Sequence, residues 1–549
     1  MKRREFLRHC AWGSLCAGTA AGGYAWLRPA PPTVSVLRPG LPAGHLLRDA
    51  ADWPAPARTL HCETLILGSG AAALCAAWHL ARNGQGNFLL AEGPERNGNN
   101  AARPYGEIAA PTGAHYLALP SRESTPVRQL LHALGILQDG VESDAPAYRE
   151  TDLVCAPESR LYYQNRWQDG LLPDAPDADT RRFFALVARL KTERGRDGRR
   201  RFVIPIAHSS QDAARDALDA QTFARWLDGQ GLHSPTLRWY LDYCCRDDYG
   251  QGIDKVSAFA GLHYFCARNN AQDAVLTWPE GLAHISEAIR RQIGLQEWRA
   301  LPEGEETATL RLTAPASVPM MAVAVEETAD DVAVLLAPAD GRLAPTVRVR
   351  ARRVICAMPL QVAARVVRGF ARYAGEGLQL PPVVPWLVAN FHLRRFPAEP
   401  PGMERAWDNV VYGSPHLGYV IATHQLLRVA RPQESVFTAY TTIPDMPSTQ
   451  ARRWLLQASD AALLEYAARD LLAVYGKRFW WAVQHVDVIA RAHAMPSPEP
   501  GYLNNATLAR LRAHVSRIVF AHSDLSGYSV FEEACHHGVR AAQQVMAMR

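Results

Sequence analysis

Glu63-Thr64-Leu65-Ile66-Leu67-Gly68-Ser69-Gly70-Ala71-Ala72-Ala73, followed by residues 74–83 and then by Asn87-Phe88-Leu89-Leu90-Ala91-Glu92, is the most informative stretch of this 549-residue chain. An apolar run enters a glycine turn, a segment with an apolar or small face leaves it, and a second apolar run ends on an acid. The pattern predicts strand, turn, helix, strand. Gly68 permits the tight turn, and Gly70 lets backbone N–H groups approach a pyrophosphate at the positive end of the helix. Ala73 takes the position where a small residue allows close packing of helix on strand. Glu92 is expected to accept hydrogen bonds from the hydroxyls of an adenosine ribose. A glycine turn without a ligand uses the same residue types, but strand, turn, helix, strand and acid in register point to a dinucleotide. This unit alone does not separate FAD from NAD.

The far end of the chain adds a second signal. Ser516-Arg517-Ile518-Val519-Phe520-Ala521 reads as a strand, His522-Ser523-Asp524-Leu525-Ser526-Gly527-Tyr528 as a loop, and residues 529–547 as a terminal helix rich in small residues. With these motifs the sequence resembles the flavin-containing amine oxidase superfamily, which includes monoamine and polyamine oxidases, L-amino-acid oxidases, protoporphyrinogen oxidase and phytoene desaturase-like proteins. Phe520-Ala521 carries the likeness. The resemblance implies bound FAD, with Asp524 as the acid beside the ribityl and pyrophosphate. It places Ser529 and Val530 at the start of a helix whose amides stabilise negative charge on the reduced ring. This chain departs from the family pattern at His522, where a glycine is usual, and at Glu533-Ala534, where Gly-Ala is usual.

Weaker likenesses fill the interval. Arg96-Asn97-Gly98-Asn99-Asn100 and Pro111-Thr112-Gly113-Ala114-His115-Tyr116 resemble the section that wraps the pyrophosphate, but Gly-Gly-Arg is missing, which leaves Arg96 as the implied guanidinium. Trp278-Pro279-Glu280-Gly281-Leu282 resembles the turn that returns the chain to the flavin domain. Residues 321–325, 332–334 and 353–359 read as a small sheet and its exit strand, with the backbone of Val323 or Val325 assigned to the adenine end.

The resemblance therefore implies an α/β fold in which a Rossmann-like FAD-binding domain is interleaved with a discontinuous α+β substrate or cap domain. The expected boundaries are 61–125, 271–360 and 506–549 for the first, and 126–270 and 361–505 for the second. A structural cap or partner surface would account for the same inserted length. Among the insertions, Tyr162, Tyr163, Trp167, Trp386, Tyr412, Tyr440 and Trp481 offer faces for a pocket, although isolated aromatics serve a core equally well. Residues 486–494 alternate, which puts Asp487, Ile489, Arg491 and His493 on one strand face. Arg491 or His493 there is suited to select an acidic group, and a packed loop would use the same residues.

Many family members hold a lysine near flavin N5. This chain has only Lys2, Lys191, Lys255 and Lys477, so none falls between 255 and 477. No Ser, His or Cys nucleophile arrangement is evident, and no catalytic side chain is assigned. The expected activity is that of an FAD-dependent oxidoreductase which moves hydride from an amine or related C–H centre of a small molecule to the flavin. Oxygen, a quinone or a redox protein then serves as acceptor. A quinone- or protein-linked desaturase or dehydrogenase, or a non-catalytic structural or assembly protein on the same fold, are the alternatives.

The first residues, Met1-Lys2-Arg3-Arg4-Glu5-Phe6-Leu7-Arg8, and the mildly apolar stretch behind them read as an export signal over 1–30. Arg3-Arg4 before Phe6-Leu7 resembles the twin-arginine type, which in bacteria exports folded proteins. It implies the twin-arginine machinery as a partner and a periplasmic or exported location. An uncleaved anchor in the inner membrane, a lipid on Cys16 or peripheral membrane association remain alternatives. Residues 31–60, rich in proline, read as a linker.

Composition narrows the rest. With 48% hydrophobic and 21% charged residues the chain is globular, and ten Cys are too sparse for a disulfide framework. The formal charge of +5 shows no basic tail or stripe, so nucleic acid is not an expected partner. His and Cys lack metal-ligand spacing, and no metal site is expected.

Overall fold

In the computed structural model, which describes residues 31–50, 52–173, 176–268, 274–303, 306–426 and 433–548, the supposed linker is structured. Thr33–Leu37 is a strand, β1, and Leu41–Asp49 a helix, α1, whose N-cap Gly40 is left-handed at φ 69°. This corrects the 31–60 reading, and the cause is local. Thr-Val-Ser-Val-Leu has the composition that joins a sheet edge, and Pro42 sits in the first helical turn, where its missing N–H costs nothing. The next strand, β2 (Pro56–Leu67), starts before Glu63 and takes the rest of the linker.

Leu60, Cys62 and Thr64 of β2 are buried in alternation, and its last four residues are buried without interruption, as a central parallel strand requires. It leads into helix α2 (Ala71–Arg82) and the parallel strand β3 (Phe88–Ala91), with Thr64 opposite Phe88 and Leu67 opposite Ala91. Farther along come helix α3 (Pro235–Tyr249) and the meander β4 (Met320–Glu327), β5 (Val332–Pro338) and β6 (Thr346–Cys356). Strands β7 (Val383–Leu393), β8 (Ser435–Thr442) and β9 (Val483–Pro496) follow, then β10 (Ile518–Phe520) and the terminal helix α4 (Phe531–Ala547).

Two large sheets organise the described residues. In the first, β2 lies between β3 and β6, all parallel, while the end of β6 carries β10 and its earlier part pairs antiparallel with β5. Helix α4 covers α2 at very short range. A Cβ added to Gly538 would stand 2.2 Å from the Ala72 carbonyl oxygen, so only glycine fits this helix interior despite its cost of about 1 kcal/mol. The second sheet runs β1, β9, β7, β8 and then four shorter strands drawn from 159–169 and 408–421. Helices between 178 and 266 form a separate apolar core around Phe183, Phe223, Leu241 and Phe259. The expected architecture is present: a Rossmann-like nucleotide-binding domain interleaved with a larger mixed α/β region.

The expectation of a periplasmic or exported protein, with an uncleaved inner-membrane anchor as an alternative, is corrected at the anchor: no helix among the described residues is long and apolar enough to cross a membrane. The stretch 1–30 read as an export signal lies outside the described residues. The eight cysteines from Cys62 to Cys535 are free thiols, all buried except half-buried Cys155.

Candidate functional site

Both halves of the fold contribute walls to one cavity of about 690 Å³. One end is the glycine turn. Gly68 adopts φ 113°, and a Cβ there would lie 2.8 Å from the Ala357 carbonyl oxygen, so the turn is pressed against the end of β6. Ser69 Oγ donates to the carbonyls of Glu92 and Glu95, both at 2.9 Å, and ties the turn to the end of β3. Gly70 is extended, no side chain caps α2, and a Cβ added to Gly70 would meet nothing within 4 Å. The first-turn amides of α2 thus open onto empty space at the positive end of a helix dipole, which fits a diphosphate.

The carboxylate of Glu92 also borders the cavity, and its Oε1 accepts a 2.6 Å bond from Arg290. On the opposite side Asp524 is buried, and its Oδ2 accepts from the Leu360 amide at 2.9 Å. Burial disfavours its charge, but His522 and that amide outweigh the cost and hold the carboxyl below its usual range. Ser529 and Val530 lie on the cavity wall just before α4.

Two expected residues are elsewhere. Arg96 is drawn away by Glu287 at 2.7 Å and Glu297 at 2.6 Å and does not line the cavity. The guanidinium beside the turn is Arg491 of β9, which binds both oxygens of Glu95 at 2.6 and 2.8 Å and donates to the Thr112 carbonyl at 2.7 Å. It braces the two halves, and it lines the cavity together with His493, the two residues suited from sequence to select an acidic group or to pack a loop. Val325 is fully buried and pairs with Val334. The cavity takes Met321 and Ala322 from the start of β4, because the strand has run past it by Val325. Ala73 is fully buried in the α2 core, the packing position, and does not line the cavity.

The other end is carboxylate and aromatic. Asp247 and Asp248 project from the last turn of α3, where Tyr116 Oη donates to Asp247 at 3.0 Å. Burial and the neighbouring Asp248 push Asp247 up to about 7, and burial raises Asp248 to about 6. Arg268 donates to Glu532, in the first turn of α4, at 3.1 Å. Burial works against the Arg268 charge, but Glu532 and Asp248 outweigh it and keep the group cationic. With Arg268 matched by Glu532, the two aspartates leave this end negative. His115 stacks on Tyr440 at 4.3 Å, and burial lowers its pKa to about 3, so it is neutral at pH 7. Of the seven aromatics considered from sequence, Trp386 and Tyr440 line the cavity. Trp167 is in the second-sheet core, and Trp481 is 40% exposed.

Sequence reasoning missed Asp247, Asp248, Arg268 and Glu532. The paired acids at the end of the aromatic stretch 239–249 were the available signal, but nothing local shows that they turn toward a cavity.

A family model described as an NAD(P)-binding Rossmann-like domain matches residues 66–134. No curated protein matches the chain in sequence. In fold the chain is similar to putrescine oxidase solved with putrescine bound, at TM-score 0.59 and 15% identity over 89% of this chain and 100% of that one. It is similar also to cyclohexylamine oxidase from Brevibacterium oxydans, at TM-score 0.56 and 15% identity over 88% and 98% of the two chains. A fatty acid isomerase from P. acnes, described as producing CLA, shares the fold at TM-score 0.51 and 13% identity over 87% and 97%. The bipartite architecture is thus common to two amine oxidases and an isomerase.

Proposed function

We propose that this chain is an FAD-dependent oxidoreductase that oxidises a small amine. The observation that carries the reading is one cavity with an uncapped glycine turn at one end and the Asp247-Asp248 pair among aromatic rings at the other. Gly68, Gly70, Glu92, Asp524, Ser529 and Val530 would hold the cofactor, and Glu92 would share its carboxylate between Arg290 and a ribose hydroxyl. Bound FAD would supply the two-electron acceptor, taking hydride from the carbon next to the amine nitrogen and passing the electrons on to oxygen.

The chain's own groups prepare the amine. An ammonium entering the acidic end is attracted by Asp247 and Asp248, in a setting of low dielectric. Asp247, raised to about 7, is a stronger base than an ordinary carboxylate and takes the ammonium proton on its free oxygen, which leaves the amine neutral. Tyr116 orients that carboxylate through its hydrogen bond. His115, Tyr440 and Trp386 exclude water from the same end. A dehydrogenase that hands electrons to a quinone or a protein is the second reading, favoured by the lack of any lysine among the described residues lining the cavity.

The purified chain should show flavin absorbance near roughly 450 nm and release FAD in acid. Putrescine or cyclohexylamine added without oxygen should bleach that band, and admitted oxygen should restore it. Bleaching that persists in oxygen supports the dehydrogenase. A chain that binds FAD but is bleached by no amine overturns the amine assignment.

A further inference from the structure

The segment between the start of the described chain and the dinucleotide unit belongs to the cavity. β1 is fixed to the second sheet by parallel pairing with β9, from Thr33 opposite His485 to Leu37 opposite Ile489. Arg38 then reaches Asp460 at 3.5 Å. At Gly40 the chain turns beside Pro94, two residues past Glu92, where a Cβ added to the glycine would lie 3.4 Å from the Pro94 ring. Helix α1 crosses to the first sheet. There Ala43, 3% exposed, packs with Met321, Val323 and Ala337, and Pro42 lies against Gly341, where a Cβ would come within 2.7 Å. The far end of α1 is held by Arg365, which donates to the carbonyls of Leu47 and Arg48, groups that a helix end leaves unpaired. Between these anchors Arg38, Gly40, Leu41, Gly44 and His45 wall the cavity at the end bounded by Glu92, Met321 and Met358.

We propose that residues 33–49 are a strap that completes the binding site for the adenosine half of the dinucleotide and limits how fast the cofactor leaves. This rests on the FAD reading given above. The strap joins the two halves over the ribose-binding acid, so release of a bound dinucleotide requires α1 to lift from its seat on β4 and β5. The glycine turn supplies attraction for the phosphates, and the strap supplies retention.

Ala43→Glu tests this, because it places a charge in the α1 seat and leaves the glycine turn untouched. FAD release from parent and variant, each loaded with FAD, is followed by the rise in flavin fluorescence after dilution. At least tenfold faster release from the variant is expected. Release at the parent rate overturns the strap. A parent chain that neither carries nor takes up FAD sinks the cofactor reading itself, a distinct outcome. Should the variant fail to fold, amide hydrogen exchange over residues 41–49 of the parent decides the matter. Slower exchange with FAD than without it supports the strap, and equal exchange overturns it.

Discussion

The two ends of the cavity are built from opposite materials. At the glycine turn the chemistry belongs to the backbone: unpaired amides, a helix dipole and open space in front of Gly70. At the acidic end it belongs to side chains from separate elements, Asp247 and Asp248 from α3, His115 and Tyr116 from a loop and short strand, and Tyr440 from β8. A site made of amides has no titration and is damaged chiefly by filling its space. A site made of carboxylates is tuned by pH and altered by a single substitution. The contrast suits a constant diphosphate at one end and a selected cation at the other.

The largest expected effect is at the backbone end. A Cβ at Gly70 would meet nothing within 4 Å and the position needs no left-handed backbone, so in Gly70→Trp the empty chain should keep its melting temperature while FAD affinity falls on the order of a hundredfold, measured by fluorescence titration. Undiminished affinity would remove the dinucleotide from the turn. At the other end Asp247→Asn removes a charge without changing volume. Amine-driven bleaching should slow by roughly ten- to a hundredfold, in line with about 1.5–3 kcal/mol for a charged hydrogen bond, and FAD binding should be unaffected. Its pH profile should also flatten: in the parent the rate rises as Asp247 ionises through about pH 7.

A smaller change is expected from Glu92→Ala, which would lose the proposed ribose contact and takes from Arg290 its shortest ion pair, leaving it Asn97 and Glu297. Calorimetry should find FAD bound several-fold more weakly, with a fall of about 1–3 kcal/mol in the stability of the empty chain. A separate effect concerns pH and folding. The Asp247 proton is held more tightly by the folded chain than by the unfolded one, whose pKa stays near the ordinary 3.8, so its contribution to stability falls as pH rises from about 4 to about 7. Denaturant titrations at both limits should show Asp247→Asn more stable than the parent at pH 8 and equal to it at pH 4. The same substitution would then stabilise the chain and weaken its function, a combination typical of active sites.

How far each end was legible follows from its construction. The turn was readable because Gly68, Gly70 and Glu92 are close in the chain and the strand, turn, helix and strand that carry them follow from local residue types. Arg96 illustrates the limit: it stands where a guanidinium is needed, but Glu287 and Glu297 capture it, and Arg491 arrives from 396 positions beyond Glu95. Asp247 meets Tyr116 across 131 residues, a contact with no trace in local pattern. Prolines obscured β1 and α1, since Pro42 reads as punctuation in sequence yet begins a helix in the fold.

The pairing of β1 with β9 also bears on the chain's synthesis. Thr33 finds His485 after an interval of 452 residues. At ribosomal rates of roughly 5–20 residues per second, the earliest described strand waits on the order of half a minute or more for its partner. Until then its edge is open and α1 has nothing to bridge, so the strap is among the last parts of the molecule to dock.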